Sequence, residues 1–340
     1  MAKKIAINGF GRIGRLVFRH LLKNYPEIRV EAINDLSNTE ILAHLLKYDS
    51  LYGIYDQEVQ ADKGKILIGN KKQEIKVLAE RDPAALPWKE IGIDIVLECT
   101  GAFTNYDGAF KHITAGAKKV IIYAPSKDAE KIPSYILGVN ADKYDPDKEQ
   151  IMDMGSCTTN CLAPAAKVIH ESFGIIKGFM TTVHSYTNDQ QILDLAHKDF
   201  RRARAAGINI IPTTTGAAKA IGNVIPELKG KLDGIAFRVP TPTVSVLDLV
   251  CETEKSATAE EVNSALERAS KEDRFRGILG IENLPLVSSD YIGNSFSSVV
   301  DSGLTRTNGN LLKIVAWYDN EWAYSLRLAD FAAYIAKRLK

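Results

Sequence analysis

A cysteine and a histidine carry the chemistry most readily read from this chain. Cys157 stands in Met154-Gly-Ser-Cys-Thr-Thr-Asn-Cys161, after the β-prone Gln150-Ile-Met and before Leu162 to Ser172, a run compatible with a helix. This pattern predicts a strand-to-helix junction with Cys157 at or near the first helical position and Ser156 as the N-cap. Backbone N–H groups at a helix start favour a nearby anion, so the thiol is expected to titrate below the free value of about 8.5, and the thiolate is the nucleophile. Pro164 lies inside the expected helix and predicts irregular first turns or a restart there. A lone cysteine more often fills a core than performs chemistry. A second reactive group follows at His184, at the end of the strand-like Phe179-Met-Thr-Thr-Val-His, among the small polar residues Ser-Tyr-Thr-Asn-Asp189. A thiol and an imidazole are the minimum for an activated nucleophile. Distance along the chain does not say whether they meet.

The elements that must position this pair are bounded first by size and composition. At 340 residues the chain fits two domains better than one core. With 43 basic against 42 acidic residues there is no bulk attraction to nucleic acid or membrane, and neither is expected as a partner. The four cysteines, at 99, 157, 161 and 251, do not form a disulfide framework. No second pair at zinc-finger spacing accompanies Cys157 and Cys161, so no metal site is expected. Met-Ala-Lys-Lys leads directly into a strand, with no secretory apolar region and no apolar run approaching ~18 residues. A reducing, soluble, cytoplasmic setting is the expectation.

Residues 3–14 give a short apolar strand running straight into Gly9-Phe-Gly11-Arg-Ile-Gly14, followed by apolar residues at helical spacing. Glycines there allow a tight turn and close backbone approach, so a pyrophosphate can sit against the helix start. A second strand, Arg29 to Asn34, ends at Asp35, where a carboxylate accepts hydrogen bonds from a ribose 2′-OH and repels a 2′-phosphate. That favours NAD over NADP. Ile93 to Cys99 reads as a buried parallel strand ending at Thr100-Gly101, and Lys118 to Tyr123 as another. This alternation predicts an open parallel sheet with helices on both faces and a ligand beyond the strands' carboxyl ends. His20 and His112 fall in helical segments and read as surface or packing residues.

Beyond Cys157 the texture changes. Asn188 to Asn209 is polar and too long for an idle loop, and it contains Lys198-Asp-Phe-Arg201-Arg202-Ala-Arg204. Beside Ile211-Pro-Thr-Thr-Thr-Gly216, a hydroxyl and glycine cluster ahead of a helix, it reads as an anion site. Strands are expected from Ala236 onward, near Ser297–Val300 and over Leu311–Trp317, completing a mixed sheet. Thr258-Ala-Glu-Glu261 is a capping-box pattern opening a helix over Val262 to Ser270, and a last helix spans Ala323 to Lys340.

Ser-Cys157-Thr-Thr-Asn-Cys, Thr-Val-His184-Ser-Tyr-Thr-Asn-Asp, Arg-Arg-Ala-Arg204, Pro-Thr-Thr-Thr-Gly216-Ala-Ala-Lys and Trp-Tyr-Asp-Asn320-Glu follow the glycine pattern in this order. Through them the chain closely resembles, over essentially its full length, the phosphorylating glyceraldehyde-3-phosphate dehydrogenases of the bacterial and eukaryotic type. The resemblance implies glycolytic, NAD-dependent oxidation of D-glyceraldehyde 3-phosphate to 1,3-bisphosphoglycerate. Cys157 would attack the aldehyde, His184 would support the thiolate and act as acid and base, and inorganic phosphate would cleave the resulting thioester. It implies a substrate-phosphate site at Thr187 and Arg238 and an attacking-phosphate site at Ser156, Thr158, Arg202, Thr215 and Gly216. Implied cofactor contacts are Arg12, Ile13, Asp35, Arg81, Thr100 and Asn320, with Gly9, Gly11, Gly14 and Gly101 shaping the turns.

It also implies a homotetramer whose loop 185–209 lies at the subunit core, and a C-terminal helix packed on the cofactor domain. The expected architecture is therefore α/β. A Rossmann-type doubly wound parallel sheet occupies 1–156 plus 320–340, and an α+β catalytic domain on a mixed, mainly antiparallel sheet occupies 157–319. Several positions depart from the family pattern: Met154-Gly155 replaces Asn-Ala, Tyr123 replaces a serine near the nicotinamide, and Leu195-Ala196 replaces Leu-Pro. Two alternatives stand beside this reading. One is erythrose-4-phosphate dehydrogenase, which uses the same thiol but favours water as acceptor; the other is a catalytically weak paralogue acting as a binding protein.

Overall fold

In the computed structural model, which describes residues 2–70 and 73–339, the chain separates into two compact units. The first comprises residues up to Tyr135, Lys143–Gly155 and the chain from Ser325 onward; the second comprises Ile136–Asp142 and Ser156–Tyr324.

The first unit grows from β1 (Lys3–Asn8), where Ile5, Ala6 and Ile7 are all fully buried. Successive side chains in a strand point to opposite faces, so both faces of β1 must be covered. Then follow α1 (Arg12–Asn24), β2 (Ile28–Asn34), α2 (Thr39–Lys47), the short pair β3 (Tyr48–Asp49) and β4 (Gly53–Ile54), β5 (Val59–Asp62), β6 (Lys65–Ile68) and β7 (Gln73–Leu78). The one-turn α3 (Trp88–Ile91), β8 (Ile95–Glu98), α4 (Tyr106–Thr114), β9 (Lys119–Ile122) and β10 (Ile151–Asp153) complete it. The sheet order is β10-β9-β8-β1-β2-β7-β6-β5. Pairing is parallel from β10 to β7 and antiparallel through β6 and β5. The chain winds outward from β1 in one direction through β2 and in the other through β8. That reversal is the switch point at which doubly wound sheets bind ligands.

The second unit begins with α5 (Cys157–Phe173) and β11 (Ile175–Ser185), followed by β12 (Ile211–Thr214), α6 (Ala217–Val224), β13 (Leu232–Val239) and β14 (Ser245–Thr253). Then come α7 (Ala259–Ser270), β15 (Leu279–Glu282), β16 (Ser298–Asp301), β17 (Arg306–Asn308) and β18 (Leu311–Tyr318); α8 (Trp322–Ala336) starts here and passes into the first unit at Ser325. The sheet runs β12-β13-β11-β14-β18-β16-β15, with β17 added on β18. Only β11 with β13 and β15 with β16 pair in parallel, so the sheet is mixed and mainly antiparallel, as the sequence predicts. Helices α5, α6 and α7 bury one face with Leu162, Ile169, Ile221, Leu247, Leu249, Val262 and Leu266 at the centre. The other face carries Phe179, 72 % exposed, with Val183 and Ile235.

Two local expectations change and a third is narrowed. Helix α5 runs unbroken through Pro164, because its middle turns, Cys161 to Ala166, are fully buried and packing holds them where one backbone hydrogen bond is missing. His112 is fully buried and hydrogen-bonded, so of the two readings offered for it the packing one holds. The last helix ends at Ala336, leaving Lys337 and Arg338 beyond it. The capping box forms as read: Thr258 Oγ accepts from Glu261 N–H and the Glu261 carboxylate accepts from Thr258 N–H. No helix among the described residues is long and apolar enough to cross a membrane.

Candidate active site

Within the first unit, the ends of β1, β2 and β8 surround a cavity of about 410 Å³ lined by Gly9, Gly11, Asp35, Arg81 and Thr100 among others. Gly9 has φ +92°, and a Cβ there would lie 2.7 Å from the Cys99 carbonyl carbon. A Cβ on Gly14 would lie 2.2 Å from Gly9 O, so this glycine lets α1 close on the turn. Gly11 is the N-cap of α1, has no side-chain cap bond, and faces open space where a Cβ would be. The helix start is therefore free to take a ligand's anionic group. Asp35 is fixed by backbone donors: Phe10 N–H to Oδ2 at 2.8 Å and Ser37 N–H to Oδ1 at 2.9 Å.

Other predicted cofactor residues sit differently. The Arg12 guanidinium pairs with Asp49 at 2.8 Å and lies over the Tyr52 ring. Ile13, Gly14 and Tyr123 do not line this cavity, although the Tyr123 hydroxyl lies 3.1 Å from where a Gly101 Cβ would be. Asn320 belongs to the second unit. Its Oδ1 accepts from Ser185 Oγ at 2.8 Å and Ser245 Oγ at 2.9 Å, which turns its N–H₂ group the opposite way.

In the second unit Cys157 is the first residue of α5, behind Ser156, whose Oγ accepts from Thr159 N–H at 3.0 Å. His184 is next to last in β11 and shares the face of Met180 and Thr182, the side that α5 covers. Its Nε2 lies 3.5 Å from Cys157 Sγ. The parallel register of β11 with β13 puts Arg238 directly beside His184. Arg238 Nη1 lies 2.8 Å from His184 Nδ1 and donates to Ser185 O at 3.0 Å. His184 Nδ1 is itself 2.7 Å from Ser185 O. Nδ1 thus faces both a donor, Arg238 Nη1, and an acceptor, Ser185 O; in the tautomer that donates Nδ1–H to the carbonyl, Arg238 bonds Ser185 O alone and Nε2 is the acceptor for the thiol proton.

The electrostatics overturn one expectation. Burial pushes the Cys157 thiol up from its ordinary value, and the Arg238 charge and the hydrogen bonds at the helix start only partly oppose it. Burial, with Arg238 second, pulls His184 down to about 3. A helix start alone thus does not make this thiol acidic. Proton transfer from Sγ to Nε2 charges both groups at once, 3.5 Å apart, and each ion offsets the desolvation of the other.

The anion-site residues divide. Arg238 is half-buried and has no carboxylate partner among the described residues, and its buried Nε has no hydrogen-bond partner there. Thr215 and Gly216 stand at the start of α6, with Thr215 Oγ1 accepting from Ala217 N–H at 3.2 Å. The Arg202 guanidinium is committed to protein partners: Asp189, Thr213 Oγ1 at 2.8 Å and Thr214 O at 3.3 Å. Thr187 bonds Gln190 Oε1 through both N–H and Oγ1. Thr158 turns its hydroxyl to Tyr318 OH at 2.9 Å, which also meets Thr182 Oγ1 at 2.8 Å. Tyr318, buried with its ring edge-on to His184 at 6.0 Å, did not emerge from the sequence, and neither did Ser185 or Ser245. Strand alternation places Ser245 and Tyr318 on the buried face, which was the available signal for these two; Ser185, adjacent to His184, falls on the opposite face and had none.

A glycine-walled cleft at a doubly wound switch point, and a thiol–imidazole pair with a guanidinium beside it, are the features of a dinucleotide-dependent oxidoreductase. Residues 3–106 match the family model for the NAD binding domain of glyceraldehyde 3-phosphate dehydrogenase, and residues 156–320 match that for its C-terminal domain. The chain is 59 % identical over 339 residues to the glyceraldehyde-3-phosphate dehydrogenase of Geobacillus stearothermophilus and 57 % identical over 339 residues to glyceraldehyde-3-phosphate dehydrogenase 1 of Bacillus subtilis, covering 99 % of each protein. It is 53 % identical to the Streptomyces coelicolor enzyme of the same name over the whole of both chains. The chain belongs to the glyceraldehyde-3-phosphate dehydrogenase family, and its α/β fold and its NAD-binding domain are as the motifs implied. The cleft fits that cofactor: its helix start is uncapped, its Gly11 position is open, and the carboxylate of Asp35 stands on its wall.

Proposed function

We propose that this chain oxidises D-glyceraldehyde 3-phosphate to 1,3-bisphosphoglycerate with NAD and inorganic phosphate, in glycolysis and gluconeogenesis. The observation that carries the reading is the 3.5 Å approach of Cys157 Sγ to His184 Nε2, with the Arg238 guanidinium 2.8 Å from the other ring nitrogen. Cys157 gives its proton to His184 and attacks the aldehyde carbon. NAD would supply the hydride acceptor, and the cleft around Gly9, Gly11 and Asp35 would hold it. His184 returns that thiol proton to the aldehyde oxygen, which completes the hemithioacetal, and as a neutral ring takes it back when the thioester forms. Arg238 and Thr187 hold the substrate phosphate, and the α6 start at Thr215 and Gly216 receives the attacking phosphate, together with Ser156, Thr158 and Arg202. Asp35 sets the preference for NAD over NADP.

The test is NADH formation from the aldehyde with and without inorganic phosphate. Turnover that requires phosphate is expected; equal turnover without it would move the assignment to the hydrolytic erythrose-4-phosphate type. Equal efficiency with NADP would remove Asp35 from its role.

The same chain is proposed to work as a homotetramer in the cytoplasm. Segment 186–210, which holds only one isolated bridge and a short 3-10 turn, displays Ile192 at 91 %, Phe200 at 90 % and Ile208 at 83 % exposure, next to the bare sheet face with Phe179. Apolar exposure on this scale marks a surface that copies cover. Phe200→Asp is expected to lower the sedimenting mass below that of the wild type; an unchanged tetramer would show that this loop is not the interface. All four cysteines are free, which suits a reducing compartment.

A further inference from the structure

Beneath the dinucleotide cleft lies a chain of buried polar side chains whose hydrogen-bond directions are fixed from both ends. At one end Glu80 N–H donates to Asn34 Oδ1 at 2.8 Å. The Asn34 amide must then donate through Nδ2, and it does, to Asn8 Oδ1 at 2.7 Å. Asn8 Nδ2 in turn donates to Glu98 Oε2 at 2.5 Å. At the other end Trp88 Nε1–H, which can only donate, meets His112 Nδ1 at 3.0 Å. That fixes the proton of the neutral ring on Nε2, which lies 3.1 Å from Glu98 Oε2. Both arms therefore point at Glu98, where a carboxylate offers acceptors alone. Its other oxygen, Oε1, accepts from Thr100 N–H at 2.9 Å and from the Thr100 hydroxyl, and Ala102 N–H closes the turn onto Thr100 Oγ1 at 3.0 Å.

Glu98, His112 and Trp88 are each completely buried, and Glu98 has no Lys or Arg partner among the described residues. An acidic side chain in that position is tolerated only because every donor around it is aimed correctly. Asn8, Asn34, Glu80 and Thr100 are also walls of the cavity. The network thus ties the carboxyl ends of β1, β2 and β8 into one floor.

We infer that Glu98 is a positioning residue of the cofactor cleft: Asn8 and His112 hold its carboxylate, and it holds the Thr100–Ala102 turn in the shape that NAD meets. This rests on the NAD reading of the cleft. In Glu98→Gln the new N–H₂ group faces donors whichever way the amide turns. It meets Thr100 N–H on one side, or Asn8 and His112, locked by Glu80 and Trp88, on the other.

Calorimetric titration of the full-length protein with NAD is expected to show affinity about tenfold weaker in Glu98→Gln. The KM for NAD should rise by the same factor, while kcat at saturating NAD stays within about twofold. His112→Phe, which removes one arm, is expected to weaken binding similarly. His112→Gln, whose amide can accept from Trp88 and donate to Glu98, should restore most of the affinity. Unchanged affinity in both Glu98→Gln and His112→Phe would overturn the inference, and so would equal losses in His112→Phe and His112→Gln, which would mean packing alone. Should Glu98→Gln fail to fold, the two His112 variants decide. Wild-type protein that binds no NAD would instead overturn the cofactor reading of the cleft.

Discussion

Cys157→Ser is expected to abolish phosphate-dependent NADH formation, lowering kcat by about 10⁴-fold or more. A serine hydroxyl at the first position of α5 keeps the size and the cap geometry, but its proton is far harder to remove than that of a thiol. The means of removal are limited here. His184 is held neutral, with its value pulled down to about 3, and the Arg238 charge beside it opposes imidazolium formation. A base this weak can deprotonate a thiol whose anion it then pairs with, but not an alcohol. The variant should still bind NAD, since the cleft is formed by residues at the ends of β1, β2 and β8. Assay of purified wild type and variant with aldehyde, NAD and phosphate checks this, with NAD titration of both as the control for folding. Residual turnover above about one part in a thousand, shown not to be contamination, would remove Cys157 from the nucleophile's role.

His184→Asn is expected to lower kcat by about 10²–10⁴-fold and to slow alkylation of Cys157 by iodoacetamide at pH 7. Burial drives the thiol up and the imidazole down, so each prefers its neutral form alone. Without Nε2 at 3.5 Å the proton must leave to solvent, and the alkylation profile should move toward alkaline pH. Matching alkylation rates for variant and wild type from pH 6 to 9 would show that the thiol is activated by something else. The same variant carries a stability signature. His184 has an ordinary value of 6.5 and a folded value of about 3, so between these limits the unfolded chain binds more protons than the folded one. Stability conferred by keeping this ring neutral is complete above 6.5 and is lost as pH falls toward 3. His184→Asn should flatten that part of the stability curve, measured by denaturant unfolding at pH 4.5 and 7; parallel curves would contradict a buried neutral imidazole.

Much of this molecule is written in local patterns. The glycine turn before α1, the capping box of α7, the Ser156 cap ahead of Cys157 and the Asp at the end of β2 each depend on residues within a few positions of one another. Backbone preference and side-chain reach act over that range, so spacing suffices to find them. Met154-Gly155, a departure from the family pattern, also has a local cause: Gly155 has φ +65° and donates its N–H to Asp153 Oδ1 at 2.8 Å. A glycine suits that left-handed turn as an alanine would not.

Other features were hidden because their causes lie far apart in the chain. Asn8, Asn34 and Glu98 look like ordinary polar residues at the ends of apolar runs, and only the parallel registers of β1 with β2 and β8 turn them into one network. Arg202 reads as a free cation in a basic run, yet Asp189 and Thr213 occupy its guanidinium. The sequence by itself determined the chemical groups, the two-unit division of labour between cofactor and thiol, and the family. Tertiary structure alone decided that Arg238 stands against His184, that Tyr318 backs the pair and that burial opposes the helix start at Cys157. The physical reason is that strand register and desolvation are properties of the packed whole, set by which distant segments share a face and exclude water together.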